Sequence, residues 1–277
     1  MNHKTVLITG CSSGFGCGLV DAFLASAWRV IASMRRAEER QSLFDDAKKR
    51  YGGQLIIAKL DVTSAADRAG IQDLIESHGL DCLVNNAGYA LFGALETCSE
   101  AQLRKQYEVN LIAPLLLTRQ LLPALRARQG SVINVSSLMG FMGFPFSSAY
   151  CSSKAALSMV SEALSHELAD LGVRVYAVEP GGFRTDFMTN CERGELEVAV
   201  YAKLSQGFQR FQARLSQGAG NHPQPVVERI VALANKPAAK LHHPLGRDAV
   251  ASRLMQKLLP DSLRAKLMGM MFKRALR

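Results

Sequence analysis

Short apolar runs alternate with longer stretches of helical periodicity from the beginning of this chain. This alternation is typical of a parallel sheet with helices on both faces. It predicts seven strands, near Thr5–Ile8, Arg29–Ser33, Gln54–Leu60, Asp81–Asn85, Ser131–Val135, Val173–Glu179 and Leu241–Pro244. We therefore expect an α/β fold built on a doubly wound, seven-stranded parallel sheet.

The pattern has no internal repeat, low-complexity segment or linker-like boundary, so residues 1–277 are predicted to form a single domain. The chain is 48% hydrophobic and 21% charged, the balance of a soluble globular protein. Apolar strand-like sequence begins at residue 4 and no apolar run reaches ~18 residues, which predicts a cytoplasmic protein without a transmembrane helix. The six cysteines lack a Cys-x-x-Cys pair and the six histidines lack metal-ligand spacing, so neither a disulfide nor a metal is expected.

The net charge of +9 is concentrated near the end of the chain. Residues 236–277 contain ten Lys and Arg against Asp248 and Asp261, a net charge of +8, and the first 235 residues are close to neutral. This distribution argues against a nucleic-acid-binding core. The basic end therefore needs its own explanation.

A glycine-rich turn follows the first strand and opens a helix, reading Thr9-Gly10-Cys11-Ser12-Ser13-Gly14-Phe15-Gly16. Glycines allow a tight turn and the close approach of a ligand, and the first amides of the helix attract a pyrophosphate. A turn that only caps the helix is the alternative. Its position in the first βα unit of the sheet favours a dinucleotide site of the Rossmann type.

The end of the second strand indicates which dinucleotide is bound. It carries Arg35 and Arg36 and no carboxylate that would accept hydrogen bonds from an adenosine ribose. Because a guanidinium matches the charge and geometry of a phosphate, we expect NADP(H) over NAD(H), with Arg35 on the 2′-phosphate. Ser12, Ser33 and Arg36 are candidate helpers, and the alternative is that both arginines are solvated at a helix start.

Polar residues also follow the third and fourth strands, at Asp61-Val62 and Asn86-Ala87-Gly88. Ligands bind at the carboxyl ends of strands in open α/β sheets, although a turn or a helix cap explains either motif taken alone. Asn110 lies in the next helical region beside Pro114. Its amide needs a partner there, and a kink at the proline would free backbone carbonyls.

The stretch Ser131–Lys154 reads as a buried strand, a loop and the start of a helix, and it contains the candidates for proton transfer. Tyr150 and Lys154 are four residues apart and share one helix face. An ammonium about 4 Å from a phenol, at an effective dielectric of about 20, favours the phenolate by roughly 4 kcal/mol, which would make Tyr150 a usable acid and base. Ser137 at the strand end would hold a carbonyl or alcohol oxygen beside it. The Tyr-x-x-x-Lys spacing alone is a weak motif.

With these residues assembled, the chain resembles the short-chain dehydrogenase/reductase family from residue 4 to about residue 250. The matching elements, in order, are the glycine-rich turn, the LDVT aspartate, NNAG, Asn110, the serine of NVSS, YCSSK and the EPGGFRT segment that ends at Thr185. Finer features are similar to the branch that acts on steroids, retinoids and related lipophilic alcohols and ketones. They are TGCSSG, the second-strand arginine and Pro145-Phe146.

The resemblance implies a role for each matching residue. Tyr150 would be the catalytic acid and base, Lys154 would lower its pKa and bind the nicotinamide ribose, and Ser137 rather than Ser136 would orient the substrate oxygen. Asn110 would complete the catalytic set by holding a water in a proton relay to Lys154. The implied cofactor-binding residues are Gly10, Ser12, Ser13, Gly14, Phe15, Gly16, Arg35, Asp61, Val62, Asn86, Ala87, Gly88, Tyr150, Lys154, Pro180, Gly181, Phe183 and Thr185.

In this family, substrate contacts come from the segment after the sixth strand, here residues 186–222, and from the loops after Ser137 and Gly88. The side chains of these segments predict an uncharged, bulky substrate, and ordinary core packing is the alternative for any one of them. The apolar residues concerned are Phe141, Phe144, Phe146, Phe187, Met188, Phe208 and Phe211. The expected substrate contacts are Ser137, Leu138, Phe144, Tyr150 and Phe187.

Residues 248–277 extend beyond what the sheet needs. Leu263, Leu267, Met270 and Met271 recur at helical spacing among basic residues, which predicts a basic amphipathic helix in this extension. Packing on its own subunit or covering the site is the favoured role. Contact with an anionic membrane surface and docking of an acidic protein such as an acyl carrier are the alternatives.

The predicted function is that of an NADP(H)-dependent oxidoreductase that interconverts a ketone or aldehyde and an alcohol on a steroid-, retinoid- or lipid-like substrate, with reduction as the favoured direction. A 3-oxoacyl-thioester reductase is the alternative within the family. A non-catalytic NADP(H) sensor or scaffold is the alternative of another class, but it would not need the acid and base that the sequence retains. The resemblance also implies a homodimer or homotetramer, with the helices that carry Asn110 and Tyr150 as contacts.

Overall fold

The computed structural model describes residues 3–217, 222–236 and 240–275 of the chain. The seven predicted strands are present, and each boundary differs from the prediction by one residue at most. They form one parallel sheet, which confirms the predicted fold class. The strands in chain order, including two short ones of a second sheet, are β1 (Thr5–Thr9), β2 (Arg29–Met34), β3 (Leu55–Lys59), β4 (Cys82–Asn85), β5 (Leu91–Phe92), β6 (Ser131–Val135), β7 (Arg174–Pro180), β8 (Glu192–Arg193) and β9 (His242–Leu245).

Helices connect the strands and extend past the last one. Residues 218–221 of the predicted substrate segment and the side chain of Phe211 lie outside the described residues. The α-helices of the described part are α1 (Gly14–Ala25), α2 (Ala37–Arg40), α3 (Asp45–Tyr51), α4 (Ala65–His78), α5 (Glu100–Tyr107), α6 (Ala113–Ala127), α7 (Ser148–Glu167), α8 (Ala202–Gln217), α9 (Gln224–Asn235), α10 (Arg247–Leu258) and α11 (Asp261–Ala275). The last two confirm the predicted helical extension.

Helices cover both faces of the main sheet because successive strand residues point to opposite sides. Val6 and Ile8 of β1 pack in one core with Phe23 of α1. Leu7, between them, packs in a second core with Leu121 of α6. The two cores hold the ends of the strands in fixed positions relative to one another.

The strand order in the main sheet is β3, β2, β1, β4, β6, β7, β9, so the direction of winding reverses between β1 and β4. The connections that leave β1 and β4 diverge to opposite faces of the sheet. A crevice therefore forms outside the carboxyl ends of these strands, where open α/β sheets bind ligands.

Two departures from regular helix and sheet lie near this crevice. The residues around Asn110 form a π-helical segment, Glu108–Ile112, directly before Pro114 in the first turn of α6. A π-helix is wider than an α-helix, and this one lies where the sequence indicated a kink. The short strands β5 and β8 pair in parallel and join the segments that follow β4 and β7.

No helix among the described residues combines the length and the apolar character needed to cross a membrane.

Candidate active site

The carboxyl ends of the central strands bring the candidate residues to one edge of the sheet. Gly10 follows β1, Asn86 follows β4 and Ser137 follows β6, each within two residues of the strand end. β4 and β6 are directly paired, with Asn85 opposite Asn134. Residues far apart in sequence therefore line one crevice.

Glycine is required at two positions of the first turn by the space around them. Gly10 has a φ of +73°, and a Cβ on it would lie 2.9 Å from Cα of Ala87. A Cβ on Gly16 would overlap the carbonyl oxygen of Gly10. Only glycine lets the turn approach both the end of β4 and the start of α1 so closely.

Thr9 and Asn86 hold this turn against β4. The hydroxyl of Thr9 accepts hydrogen bonds from the amides of Asn86 at 3.0 Å and Ala87 at 2.9 Å. The side-chain amide of Asn86 donates to the carbonyl oxygens of Thr9 at 2.8 Å and Gly10 at 3.1 Å. Thr9, which the sequence did not single out as a site residue, thus shapes the turn together with Asn86.

The N-terminus of α1 opens into the crevice without a side-chain cap. Ser13 occupies the N-cap position, but its hydroxyl makes no capping hydrogen bond, and the first turn of α1 has no acidic residue. The Ser13 hydroxyl instead accepts a hydrogen bond from Asn190 at 3.5 Å. The amides and the dipole of such a helix end favour an anionic group.

Arg35 and Asp61 lie at the end of the crevice formed by β2 and β3. Arg35 is exposed, and its charge acts on Asp61. Partial burial raises the pKa of Asp61, but hydrogen bonds from Thr63 at 3.0 and 2.7 Å and the charges of Arg35 and Lys59 outweigh burial and hold that pKa below its usual value. Asp61 therefore stays ionised at neutral pH. Val62, beside it, is buried.

Two of the predicted helpers of Arg35 are engaged elsewhere. Ser33 is fully buried, and its hydroxyl donates to the carbonyl oxygen of Ile8 at 2.9 Å. The prediction for Ser33 is wrong because its side chain is fully buried and its hydroxyl is bonded to the main chain of β1. Arg36 pairs with Glu39 at 3.4 Å.

The two serines that follow β6 have different environments. Ser136 is buried, donates to the carbonyl oxygen of Lys154 at 3.0 Å and is hydrogen-bonded to the Ser158 hydroxyl at 2.7 Å. The side chain of Ser137 is hydrogen-bonded to Tyr150 and accepts from the amide of Met139 at 3.1 Å. Ser136 therefore holds α7 against β6, and Ser137 is the serine beside the phenol.

Tyr150 is buried in the first turn of α7. Burial raises the pKa of Tyr150 above the usual range of a phenol, and the hydrogen bond with Ser137 opposes this rise. The sequence predicted the opposite direction, with the Lys154 ammonium lowering the pKa. The difference arises because desolvation of the phenolate outweighs the other influences and because Lys154 Nζ donates to the carbonyl oxygen of Val135 at 2.8 Å.

Lys154 and Asn110 approach each other across Gly88. A Cβ on Gly88 would lie 3.3 Å from Lys154 Nζ and 3.1 Å from Asn110 Oδ1. Burial lowers the pKa of Lys154 to about 8. The glycine thus leaves room for both polar groups between the end of β4 and α7.

The side chain of Asn110 is fully buried and finds its partners in the backbone of Tyr89 and in Ser153. It accepts from the Tyr89 amide at 3.1 Å, donates to the Tyr89 carbonyl oxygen at 2.9 Å and donates to the Ser153 hydroxyl at 3.2 Å. These bonds fix the segment after β4 against α7.

The segment after β7 closes over the glycine turn. Phe183 packs edge-on against Phe15, with ring centroids 5.7 Å apart. The side chain of Thr185 lies 3.6 Å from the position that a Cβ on Gly14 would occupy. The predicted cofactor contacts that follow β1 and those that follow β7 therefore lie next to each other.

Asp248 supports this segment from α10. Its carboxylate accepts a hydrogen bond from the amide of Gly182 at 2.6 Å and fills the space that a Cβ on Gly181 would need. The amide of Gly181 donates to the carbonyl oxygen of Leu245 at 2.8 Å, directly after Pro180 ends β7. Sequence reasoning missed the role of Asp248, although a Gly-Arg-Asp sequence at a strand-to-helix junction was a usable signal.

A cluster of apolar side chains surrounds Tyr150. Its ring centroid lies 5.8 Å from that of Phe187 and 6.3 Å from that of Phe92. Phe146 and Phe208 stack beside them, with centroids 5.3 Å apart. The aromatic wall predicted from the sequence is thus present for Phe146, Phe187 and Phe208.

Leu138 and Phe144 belong to a different cluster. Leu138 packs with Met142 and with Ala249 of α10. The ring of Phe144 lies against Phe272 of α11, with centroids 5.2 Å apart. The C-terminal helices therefore cover two of the five predicted substrate contacts.

A buried ion pair connects α10 to β7, and it also contacts the loop after Ser137. Glu179 is fully buried and accepts two 2.8 Å hydrogen bonds from Arg253 and one 3.0 Å contact from His242. The Arg253 guanidinium also lies 4.1 Å from the centroid of the Phe141 ring. This network ties the C-terminal extension to the loop after Ser137.

The chain matches a known family in sequence. The family model of short chain dehydrogenases matches residues 4–196. Retinol dehydrogenase 8 of Homo sapiens is 36% identical over 82% of this chain and 76% of its own length. The 3-ketodihydrosphingosine reductase of Bacteroides thetaiotaomicron is 33% identical over 95% of this chain and 96% of its own. The NADPH-dependent 3-dehydrocapnine reductase of Ornithobacterium rhinotracheale is 36% identical over 69% of each chain.

Solved structures agree with this match. A short-chain dehydrogenase from Streptomyces avermitilis aligns with a TM-score of 0.81 and 34% identity, over 96% of each chain.

Proposed function

The chain belongs to the short-chain dehydrogenase family, and from that premise we propose that it is an NADP(H)-dependent oxidoreductase that reduces the carbonyl group of a bulky hydrophobic substrate to an alcohol. The observation that carries the proposal is the environment of Tyr150. Its buried phenol is hydrogen-bonded to Ser137 and packs within a cluster of phenylalanine side chains. A proton donor and an apolar wall thus meet at one point of the crevice.

The residues of the crevice fit a nicotinamide dinucleotide. The glycine turn leaves no room for side chains at Gly10 and Gly16, and the N-terminus of α1 has no side-chain cap that would compete with a pyrophosphate. Phe183 and Thr185, on the far side of the turn, would contact the nicotinamide half. When bound, this cofactor supplies the hydride.

Arg35 supports NADP(H) over NAD(H). It is exposed after β2 and forms no ion-pair contact within the described part of the chain, although its charge acts on Asp61. A guanidinium in this position would bind a 2′-phosphate with charge-assisted hydrogen bonds. One relative, the 3-dehydrocapnine reductase, is named for its dependence on NADPH.

Residues of the protein would supply the proton that the carbonyl oxygen receives during reduction. Ser137 would donate a hydrogen bond to the carbonyl oxygen, and Tyr150 would transfer its phenolic proton to that oxygen as the carbon receives the hydride. Burial favours the neutral, proton-carrying phenol, which is the form that reduction requires. Lys154, with a pKa of about 8, would be mainly protonated at pH 7 and would stabilise the phenolate that remains. Asn110 would position Lys154 and Tyr150 through the Tyr89 backbone and Ser153 on α7.

The surroundings of Tyr150 support a hydrophobic substrate. Phe92, Phe146, Phe187 and Phe208 cluster around the phenol, and such walls bind apolar ligands. Two relatives are named for retinol and for 3-ketodihydrosphingosine. A lipid-like ketone or aldehyde is therefore the proposed substrate class.

The test is NADPH oxidation with a panel of ketones and aldehydes of increasing size and apolar character, together with a 3-oxoacyl thioester. We expect kcat/KM to rise with apolar size, and Tyr150→Phe to lower kcat by about 10²- to 10⁴-fold while NADPH binding is retained. Equal turnover of small polar ketones would overturn the substrate class, and preference for the thioester would support the 3-oxoacyl-thioester reductase. A turnover unaffected by Tyr150→Phe would overturn the mechanism, and NADPH binding without turnover of any carbonyl would favour the sensor.

A further inference from the structure

The two C-terminal helices present rows of apolar side chains to solvent. The spacing of about four residues puts the side chains of each row on one side of its helix. On α11 these are the apolar residues of the predicted amphipathic helix, for which packing on the subunit or covering the site was the favoured role and a membrane surface an alternative. The side chains concerned, between 39% and 69% exposed, are Val250, Leu254 and Leu258 on α10 and Leu263, Leu267, Met270 and Met271 on α11.

A different side of α11 packs on the protein. Phe272 contacts Phe144, and Met268 packs in the cluster of Leu138. At 3.6 residues per turn, Met268 and Phe272 lie about 140° and about 180° around the helix from Leu263. The outer apolar row is therefore left uncovered because the helix is already anchored by another side.

Basic side chains accompany both rows. Lys257 on α10 and Lys266, Lys273 and Arg274 on α11 are exposed, and within the described ranges none of them forms an ion pair. Arg253 and Arg264, in contrast, are paired with Glu179 and Asp261. These four unpaired cations give the two helices an uncompensated positive charge beside their apolar rows.

We propose that this surface, the outer face of α10 and α11, docks the protein on an anionic lipid bilayer. In a bilayer with acidic headgroups, the acyl chains would take up the apolar rows and the headgroups would attract the four unpaired cations. A second copy of the chain would match the apolar rows but would bring like charges together across a symmetric contact.

Docking would bring the candidate active site close to the bilayer. The inner side of α11 rests on Phe144 and on the cluster of Leu138, one residue after Ser137. A lipid-like substrate would have a short path to the phenol from such a surface. Membrane binding itself needs neither substrate nor turnover, so its test is independent of the proposed function.

The experiment is flotation of the full-length protein with vesicles of phosphatidylcholine alone and with added phosphatidylglycerol. We expect co-flotation with the anionic vesicles only, declining as salt is added because the headgroup charges are screened. Absence of co-flotation at low salt would overturn the proposal.

Variants assign the binding to this surface. Leu267→Asp/Met271→Asp should reduce the bound fraction at least ~10-fold, because each change places a carboxylate against the acyl chains. The matched control is Leu171→Asp, an equally apolar and exposed position between α7 and β7, which should bind as the unaltered protein does. Lys266→Ser/Lys273→Ser should weaken binding to anionic vesicles and reduce its salt dependence. This variant tests the same surface independently if Leu267→Asp/Met271→Asp folds poorly.

Two outcomes would count against the bilayer. If Leu267→Asp/Met271→Asp floats as well as the unaltered protein, another surface binds lipid. If the unaltered protein does not float but Leu267→Asp/Met271→Asp dissociates an oligomer in sedimentation analysis, the surface is a contact between copies of the chain.

Discussion

The carboxylate of Asp248 accepts a 2.6 Å hydrogen bond from the backbone amide of Gly182. Asp248 lies in the first turn of α10, and Gly182 lies in the segment that closes over the glycine turn. The C-terminal extension is thereby attached to the proposed cofactor crevice. A second attachment, from Arg253 to Glu179, lies on the same helix.

The first prediction concerns this contact. Asp248→Ala should weaken NADPH binding about five-fold, because an exposed hydrogen bond contributes ~1 kcal/mol and its loss frees the segment that contacts the cofactor. Asp248→Asn keeps an acceptor oxygen and should lie between Asp248→Ala and the unaltered protein. Fluorescence titration with NADPH measures the affinity. Unchanged affinity in Asp248→Ala would show that the contact serves only the fold.

The second prediction separates the two serines after β6. Ser137→Ala should lower kcat by about 10²- to 10³-fold with little change in the free energy of unfolding, since its hydroxyl faces Tyr150. Ser136→Ala removes buried hydrogen bonds to Lys154 and Ser158 and should lower the free energy of unfolding by ~1–3 kcal/mol. Steady-state kinetics and urea unfolding of both variants provide the comparison. A larger loss of kcat in Ser136→Ala would reverse the assignment.

The third prediction compares two adjacent arginines. Arg35→Asp should reduce the preference for NADPH over NADH by about 10- to 100-fold, the range expected for loss of a hydrogen bond between charged groups. Arg36→Asp makes the same change in charge one residue further on, where the side chain already pairs with Glu39, and should have a much smaller effect. The ratio of kcat/KM for the two cofactors is the readout. Equal effects of the two variants would indicate general electrostatics instead of a phosphate contact.

The fourth prediction follows from the buried position of Lys154. Its pKa is about 8 in the folded chain and about 10.4 for a solvated lysine. Between these values the unfolded chain binds more protons than the folded chain, so the contribution of Lys154 to the free energy of unfolding rises with pH. Below pH 8 both states are protonated and burial of the charge destabilises the fold.

The measurement is a comparison of the unaltered protein with Lys154→Met by urea unfolding without cofactor. From pH 7 to pH 9 the difference in free energy of unfolding should change in favour of the unaltered protein by about 1 kcal/mol. The tyrosines and cysteines titrate in both proteins, so their effects largely cancel in the difference. A difference that is independent of pH would mean that Lys154 is not buried as described.

The sequence by itself determined the seven strands, the strand-end positions of the candidate residues and the family. These features depend on local properties: the period of apolar residues defines strands and helices, and glycine and proline mark the turns between them. The pairing of Tyr150 with Ser137 was also predictable, because parallel strands bring their carboxyl ends to one edge of the sheet.

The tertiary structure alone decided which side chains reach the crevice and in what state. The Ser33 hydroxyl is buried against the main chain of β1, the pKa of Tyr150 is raised by burial, Asp248 binds Gly182, and α11 packs through Phe272 with its longer apolar row outward. Each of these depends on contacts between residues distant in sequence and on how far they exclude water. Helical period places residues on a face, but only packing determines which face is covered.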